Sequence, residues 1–315
     1  MKLRFIVPLF IMMILASCKG DQSNNEIAMP ETANEPRFKL SLAQWSFHQA
    51  IENNELDHLD FAQKAADLGF DGVEYVNSFF KDKAEDIQYL NEMGVRSEEA
   101  GVENVLIMVD GEGDLADPDS TVRQQAVLNH HKWVDAAKYL GCHSIRVNLF
   151  GEMYDTEAWV TYAVDGLGSL ARYGQSEGIN ILVENHGWIS SDASALVKVM
   201  SEINNPFCGT LPDFGNFCLE RKDGELWGDD NCIREYDKYK GVKELLPFAK
   251  AVSAKSYHFD SLGRETTIDF KKMMDLVNNS DYSGYIGVEY EGKILSEQDG
   301  VIATKSLLES LIQTN

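Results

Sequence analysis

The chain has 315 residues, with 51 acidic side chains against 28 lysines and arginines, a formal net charge of -23 and 44% hydrophobic residues. Acidity on that scale repels a phosphate backbone and removes nucleic acid from the partners to consider. The length is ample for a sizeable buried core.

Residues 1–17 carry Lys2 and Arg4 and then the apolar run FIVPLFIMMIL, shorter than the roughly 20 residues needed to span a bilayer. This is the pattern of a signal peptide. It closes on Leu15-Ala16-Ser17-Cys18, which resembles the lipobox of bacterial lipoproteins. The resemblance implies acylation of Cys18 and an exported protein held at the outer membrane or on the periplasmic side, touching membrane through its lipid alone. Residues 18–37 are polar and offer almost nothing to bury, so they are expected to be a flexible tether.

From Phe38 to Asn315 a unit recurs: a helical pattern ends at glycine and a short β-rich run follows. The examples are AADLGFDGVEYV, SEEAGVENVLIMV, AKYLGCHSIRVNL, QSEGINILVEN and DYSGYIGVEYEG, punctuated by Gly69, Gly101, Gly141, Gly178 and Gly284. KLSLAQWSF at the front and FCGTLP and VSAKSYHF nearer the end bring the strands to eight. Alternating strands and helices of this number and length predict an α/β fold, a single-domain (β/α)8 TIM barrel over residues 38–315. A doubly wound open sheet is the alternative, but no GxGxxG turn follows the first strand.

The first helix sets Leu56, Leu59, Phe61, Ala65 and Leu68 near one face, and the last sets Val301, Leu307, Leu308 and Leu311 toward the barrel. The connection after Asp213 runs about 28 residues, far beyond the roughly 2 to 6 of an ordinary βα loop. Such an insertion is expected to wall the pocket, and Trp227 and Tyr236 are costly residues to leave exposed. Cys218 and Cys232 both fall within it and are the pair to test for a disulfide.

Four apolar runs close on a potential ligand: ILVENHG with Glu184, TLPDFGNF with Asp213, AKSYHFD with His258 and YIGVEYEG with Glu289. If the strand ends surround one barrel mouth, they offer three carboxylates and one imidazole to a common centre. That set suits one divalent ion, with Mn2+, Mg2+ or Co2+ favoured and Zn2+ admitted.

ENHG, DFGN, the HFD segment followed by Gly263-Arg264, and GVEYEG together resemble the xylose-isomerase-like barrel superfamily of sugar isomerases and epimerases. The likeness covers essentially Phe38 to Asn315 and is clearest from Gly178 onward. It implies that Glu184, Asp213, His258 and Glu289 bind one metal while Glu184 and Glu289 also move protons. Strand seven admits two registers, one with His258 at the ligand position and one with Tyr257 there; the first is preferred, because tyrosine is a poor substitute for a neutral imidazole. His186, Trp45, His48, Glu74, Asn216 and Arg264 are candidate substrate contacts, with Asp110 and Asn148 at further strand ends.

The expected activity is metal-dependent removal of a proton beside a sugar carbonyl through an enediolate, as isomerase, epimerase, or a lyase acting on keto-sugars or 3-keto-glycosides. The alternative is a non-catalytic sugar-binding lipoprotein on the same barrel. A DNA-repair endonuclease also shares this barrel, but acidity, few histidines and export disfavour it. The partner is a small carbohydrate, and the sequence leaves homodimerisation open.

Overall fold

The computed structural model describes residues 36–150, 155–224 and 231–312. The signal peptide, nearly all of the tether, Cys18 and Trp227 lie outside them. The strands are β1 (Phe38–Ala43), β2 (Gly72–Val76), β3 (Glu103–Val109), β4 (Ser144–Val147), β5 (Asn180–Glu184), β6 (Cys208–Leu211), β7 (Cys218–Arg221), β8 (Cys232–Glu235), β9 (Val252–Ser256) and β10 (Gly284–Tyr290). The helices are α1 (His48–Glu52), α2 (Phe61–Asp67), α3 (Ile87–Ala100), α4 (Ser120–Leu140), α5 (Thr156–Glu177), α6 (Ala193–Ile203), α7 (Lys238–Leu245), α8 (Phe270–Asn278) and α9 (Glu297–Leu311).

Eight strands pair in parallel in the order β6-β5-β4-β3-β2-β1-β10-β9. The ring closes between β6 and β9 through two bridges, Thr210 with Ala249 and Asp213 with Ser253. With helices outside every crossover, this is the expected (β/α)8 barrel. β7 and β8 form a separate antiparallel hairpin inside the long insertion after β6. A disulfide joins Cys218 to Cys232 across it, and Tyr236 leaves it stacked on Phe217. Arg37, placed in the tether by composition, is tied down: its guanidinium donates to the carbonyls of Asn278 at 2.7 Å and Tyr282 at 3.0 Å.

Local signals explain the regularity. Helices α3 to α8 each start on an aspartate whose side chain accepts a backbone N–H of the first turn, from Asp86 through Asp119, Asp155, Asp192 and Asp237 to Asp269. Each cap is worth about 1 kcal/mol and places an anion at the positive end of the helix dipole, so part of the chain's acidity serves the fold. Gly101, Gly141 and Gly178 end α3, α4 and α5 in the left-handed conformation.

Strand alternation divides the core in two. Leu40, Leu42, Tyr75, Ile107, Ile145, Val183, Val252, Ile286 and Val288 pack outward against the helices. Val76, Leu106, Met108, Leu182, Leu211 and Tyr285 fill the barrel. Beside that inner cluster lie Ser41, Glu74, Arg146, Glu184, Asp213, Ser253, Lys255 and Glu289, all buried. A barrel interior this rich in charge is where burial is most expensive, and it calls for a chemical reason.

Candidate active site

The carboxyl ends of the strands surround a cavity of about 950 Å³, at the large end for small-molecule sites. Trp45 follows β1, Asp110 follows β3, Asn148 follows β4, His186 follows β5, Asn216 follows β6, and Tyr257 and His258 follow β9; all line it, together with Arg146, Lys255, Glu289 and Glu291. The disulfide-closed insertion supplies one wall through Cys218, Arg221, Cys232 and Glu235. The insertion therefore walls the pocket as expected.

At the floor, Glu184, Asp213 and Glu289 each present a carboxylate oxygen within 4.8 Å of the others. Their positions follow from strand register, since Glu289 pairs with Lys255 and Asp213 bridges to Ser253. The Ser253 hydroxyl donates to Asp213 Oδ2 at 2.8 Å or Glu289 Oε2 at 2.9 Å and so sits between the two. Asp213 Oδ1 also accepts the backbone N–H groups of Gly215 and Asn216, both at 2.7 Å. Burial pushes Asp213 up to about 6 and Glu184 up to about 8, against the pull of nearby cations.

Two side chains answer this charge. Arg146 Nε stands 2.8 Å from Glu184 Oε2, a close ion contact without the alignment of a hydrogen bond, and its Nη1 donates to Asp110 at 2.7 Å. Lys255 Nζ lies 3.5 Å from Glu289 Oε1, 3.8 Å from Asp213 Oδ2 and 3.2 Å from Glu291 Oε1. Burial disfavours the ammonium, but Asp213, Glu289 and Glu291 outweigh it and hold the Lys255 pKa well above the usual value.

The polar network continues around the rim. Asn148 donates to Asp110 Oδ1 at 2.5 Å, and its own oxygen lies 2.6 Å from His186 Nδ1. Burial, helped by Arg146 and Lys255, keeps His186 well below the ordinary imidazole range and hence neutral. Burial alone would raise Asp110, but Arg146 and its hydrogen bonds hold it down to about 2. Asn216 donates to Glu184 Oε1 at 3.0 Å.

The expected residues separate into two groups. Glu184, Asp213 and Glu289 come together, and Trp45, His186 and Asn216 reach the cavity. His258 lines the cavity but does not join the carboxylates. β9 ends at Ser256, and beyond it Glu265 takes the N–H groups of Tyr257 and His258 into a hairpin, past the position that faces the centre. The inward positions of β9 are Ser253 and Lys255, so Lys255 stands where His258 or Tyr257 was expected. His48 stacks behind Trp45 with ring centroids 4.6 Å apart and supports it without lining the cavity. Glu74 lies beneath the floor, bonded to Ser41 Oγ at 2.5 Å, and burial raises it to about 7. Arg264 is paired with Asp260 at 2.6 Å, its side chain 69% exposed, away from the cavity.

The three carboxylates could by themselves hold a metal ion. The surrounding residues do not fit the expected four-ligand divalent centre. The neutral donor is missing, and a protonated ammonium reaches between Asp213 and Glu289 in its stead. A divalent ion seated there would compete with the Lys255 ammonium for the same Asp213 and Glu289 oxygens.

Arg146 and Lys255 carried no weight in the sequence reading, yet a signal was present. Each is a lone cation inside a short buried strand, SIRV and VSAKS. A charge there survives only if paired or functional.

Residues 62–311 match the family model described as a xylose isomerase-like TIM barrel. A search of curated sequences finds no significant match. Among solved structures, the D-psicose 3-epimerase of Clostridium cellulolyticum H10 with D-tagatose superposes with a TM-score of 0.67 at 13% identity, covering 88% of this chain and 100% of that one. The 3-keto-D-glucoside 4-epimerase of E. coli gives 0.64 at 14% identity, with coverages of 88% and 100%. A xylose isomerase-like barrel from Mycobacterium smegmatis in complex with magnesium gives 0.58 at 15%, with coverages of 80% and 87%.

Proposed function

The chain belongs to the xylose isomerase-like TIM-barrel family, and from that premise we propose that it is an enzyme of the sugar isomerase or epimerase type, moving a proton at the carbon beside a sugar carbonyl. The observation that carries this reading is Glu289, a carboxylate lining the cavity floor 3.5 Å from the buried Lys255 ammonium. Superposition on epimerases of psicose and of a 3-keto-glucoside supports carbohydrate as the substrate class.

Glu289 takes the proton; the C–H electron pair becomes the C=C bond of an enediolate, and the carbonyl oxygen gains the negative charge. Delivery of that proton to the former carbonyl carbon, while the neighbouring hydroxyl proton passes to the oxyanion, gives the isomer; protonation of the original carbon from the opposite face, with Glu289 losing its proton to solvent, gives the epimer. Glu184 was expected to act opposite it. In the structure Glu184 stands at the floor beside Asp213 and Glu289, held by Arg146 and Asn216. Its role is to fix the Arg146 guanidinium at the floor. Trp45 offers a ring face to the sugar, and His186, neutral and anchored on Asn148, offers a hydrogen bond. Lyase action on 3-keto-glycosides uses the same first step and is a variant of this proposal, as are export and anchoring through Cys18.

The experiment is incubation of the purified protein with a panel of keto-sugars and 3-keto-glycosides in D2O. Deuterium beside the carbonyl, read by NMR, is the expected result. One observation favours a sugar-binding barrel without turnover, namely the missing fourth donor at the carboxylates. Binding of these sugars with neither exchange nor conversion would establish that second reading.

A further inference from the structure

Three buried carboxylates within 4.8 Å of one another cannot all remain charged without cations among them. The fold provides such a cation on β9. Ser253 and Lys255 are successive inward residues of that strand, and both join Asp213 to Glu289, the first by hydroxyl and the second by ammonium. The ladder makes this placement obligatory, because Lys255 is the register partner of Glu289. Its side chain is 2% exposed yet lines the cavity. The ammonium therefore has carboxylates on one side and substrate space on the other.

We propose that the Lys255 ammonium is the resident cation of this centre, neutralising Asp213 and Glu289 and donating a hydrogen bond to the substrate carbonyl oxygen, so that the protein works without a divalent metal. The catalytic half of this inference rests on the proton-transfer reading above. As Glu289 removes the proton from carbon, the carbonyl oxygen becomes an oxyanion, and Lys255 stabilises it with a hydrogen bond from its fixed positive charge. No electron acceptor is required: the proton on Glu289 passes to the former carbonyl carbon and the neighbouring hydroxyl proton passes to the oxyanion, which restores the carboxylate and releases the isomer.

Metal content and metal titration test the resident-cation claim without reference to turnover. Purified wild-type protein should carry far less than about one divalent ion per chain and show no heat of Mn2+ binding by calorimetry. Lys255→His replaces the ammonium with a neutral donor and should gain a site for about one Mn2+ per chain. Stoichiometric metal retained by the wild type through purification would overturn the proposal, as would Mn2+ binding equally to wild type and variant. On the catalytic side, exchange in D2O should be unaffected by EDTA and should fall about 100-fold in Lys255→Met. Should Lys255→Met fail to fold, the EDTA comparison on wild type decides alone, and loss of exchange there overturns the proposal. If no sugar exchanges at all, the proton-transfer reading fails, while the two metal titrations still decide what occupies the centre.

Discussion

Arg146 and Glu184 form an ion pair at 2.8 Å inside the barrel, with side-chain exposures of 4% and 2%. Removing one partner leaves the other charge buried and unanswered. Measured at pH 9, above the raised Glu184 value of about 8, Arg146→Met should therefore destabilise the protein by about 3 to 5 kcal/mol in urea unfolding. A loss under about 1 kcal/mol would show that Glu184 is already protonated in the fold, since a neutral carboxyl needs no counter-ion.

Glu289→Gln keeps the shape of the side chain and removes its ability to accept a proton. Turnover and isotope exchange should fall by at least about 100-fold while sugar affinity changes little. An equal fall in affinity and rate would mean that Glu289 only binds substrate.

Glu74 predicts a pH dependence of stability. Burial raises it from 4.5 to about 7 in the fold, so the folded state holds this proton more tightly than the unfolded chain. The associated stability is full below about pH 4.5 and is lost as pH rises through about 7, a change on the order of 3 kcal/mol. Glu74→Gln cannot ionise, so its urea midpoint should lack that decline and exceed the wild-type midpoint at pH 9. Parallel curves for the two proteins would exclude burial of the ionised carboxylate.

The Cys218–Cys232 disulfide closes a hairpin that pairs with no barrel strand. The bond restrains a loop of about 15 residues, for which the chain-entropy value is roughly 3 kcal/mol. Because the hairpin walls the cavity from outside the barrel core, the Cys218→Ser, Cys232→Ser double variant should lose sugar affinity more than it loses melting temperature. Calorimetric binding and thermal melts on the same samples check this; a collapse of the whole barrel would show the hairpin to be part of the core.

The barrel was legible because its signals are local. Glycine stops such as Gly101 and Gly141 and the apolar runs behind them are set by backbone sterics and strand burial, and both survive without knowledge of the partner strand. Glu184, Asp213 and Glu289 were legible because a carboxylate that ends a buried strand has few structural excuses. Lys255 was not, because which residue of β9 faces inward depends on its register against β10. Reading to the end of the apolar run led to His258, beyond the point where Glu265 turns the chain into a hairpin. Arg264 misled for the same reason, its partner Asp260 lying within that hairpin.

The closure between β6 and β9 has a mechanical consequence. Every other pair of neighbouring barrel strands shares a ladder, whereas this pair is joined by the bridges at Thr210 with Ala249 and Asp213 with Ser253. The seam carries few hydrogen bonds, among them Phe214 N–H to the Ser253 carbonyl at 3.1 Å and Ser253 N–H to the Pro212 carbonyl at 3.0 Å. A ring under thermal load yields first at its thinnest joint. Widening there would carry Asp213 away from Ser253 and Lys255, loosening the carboxylate cluster while the remaining staves of the barrel keep their alignment.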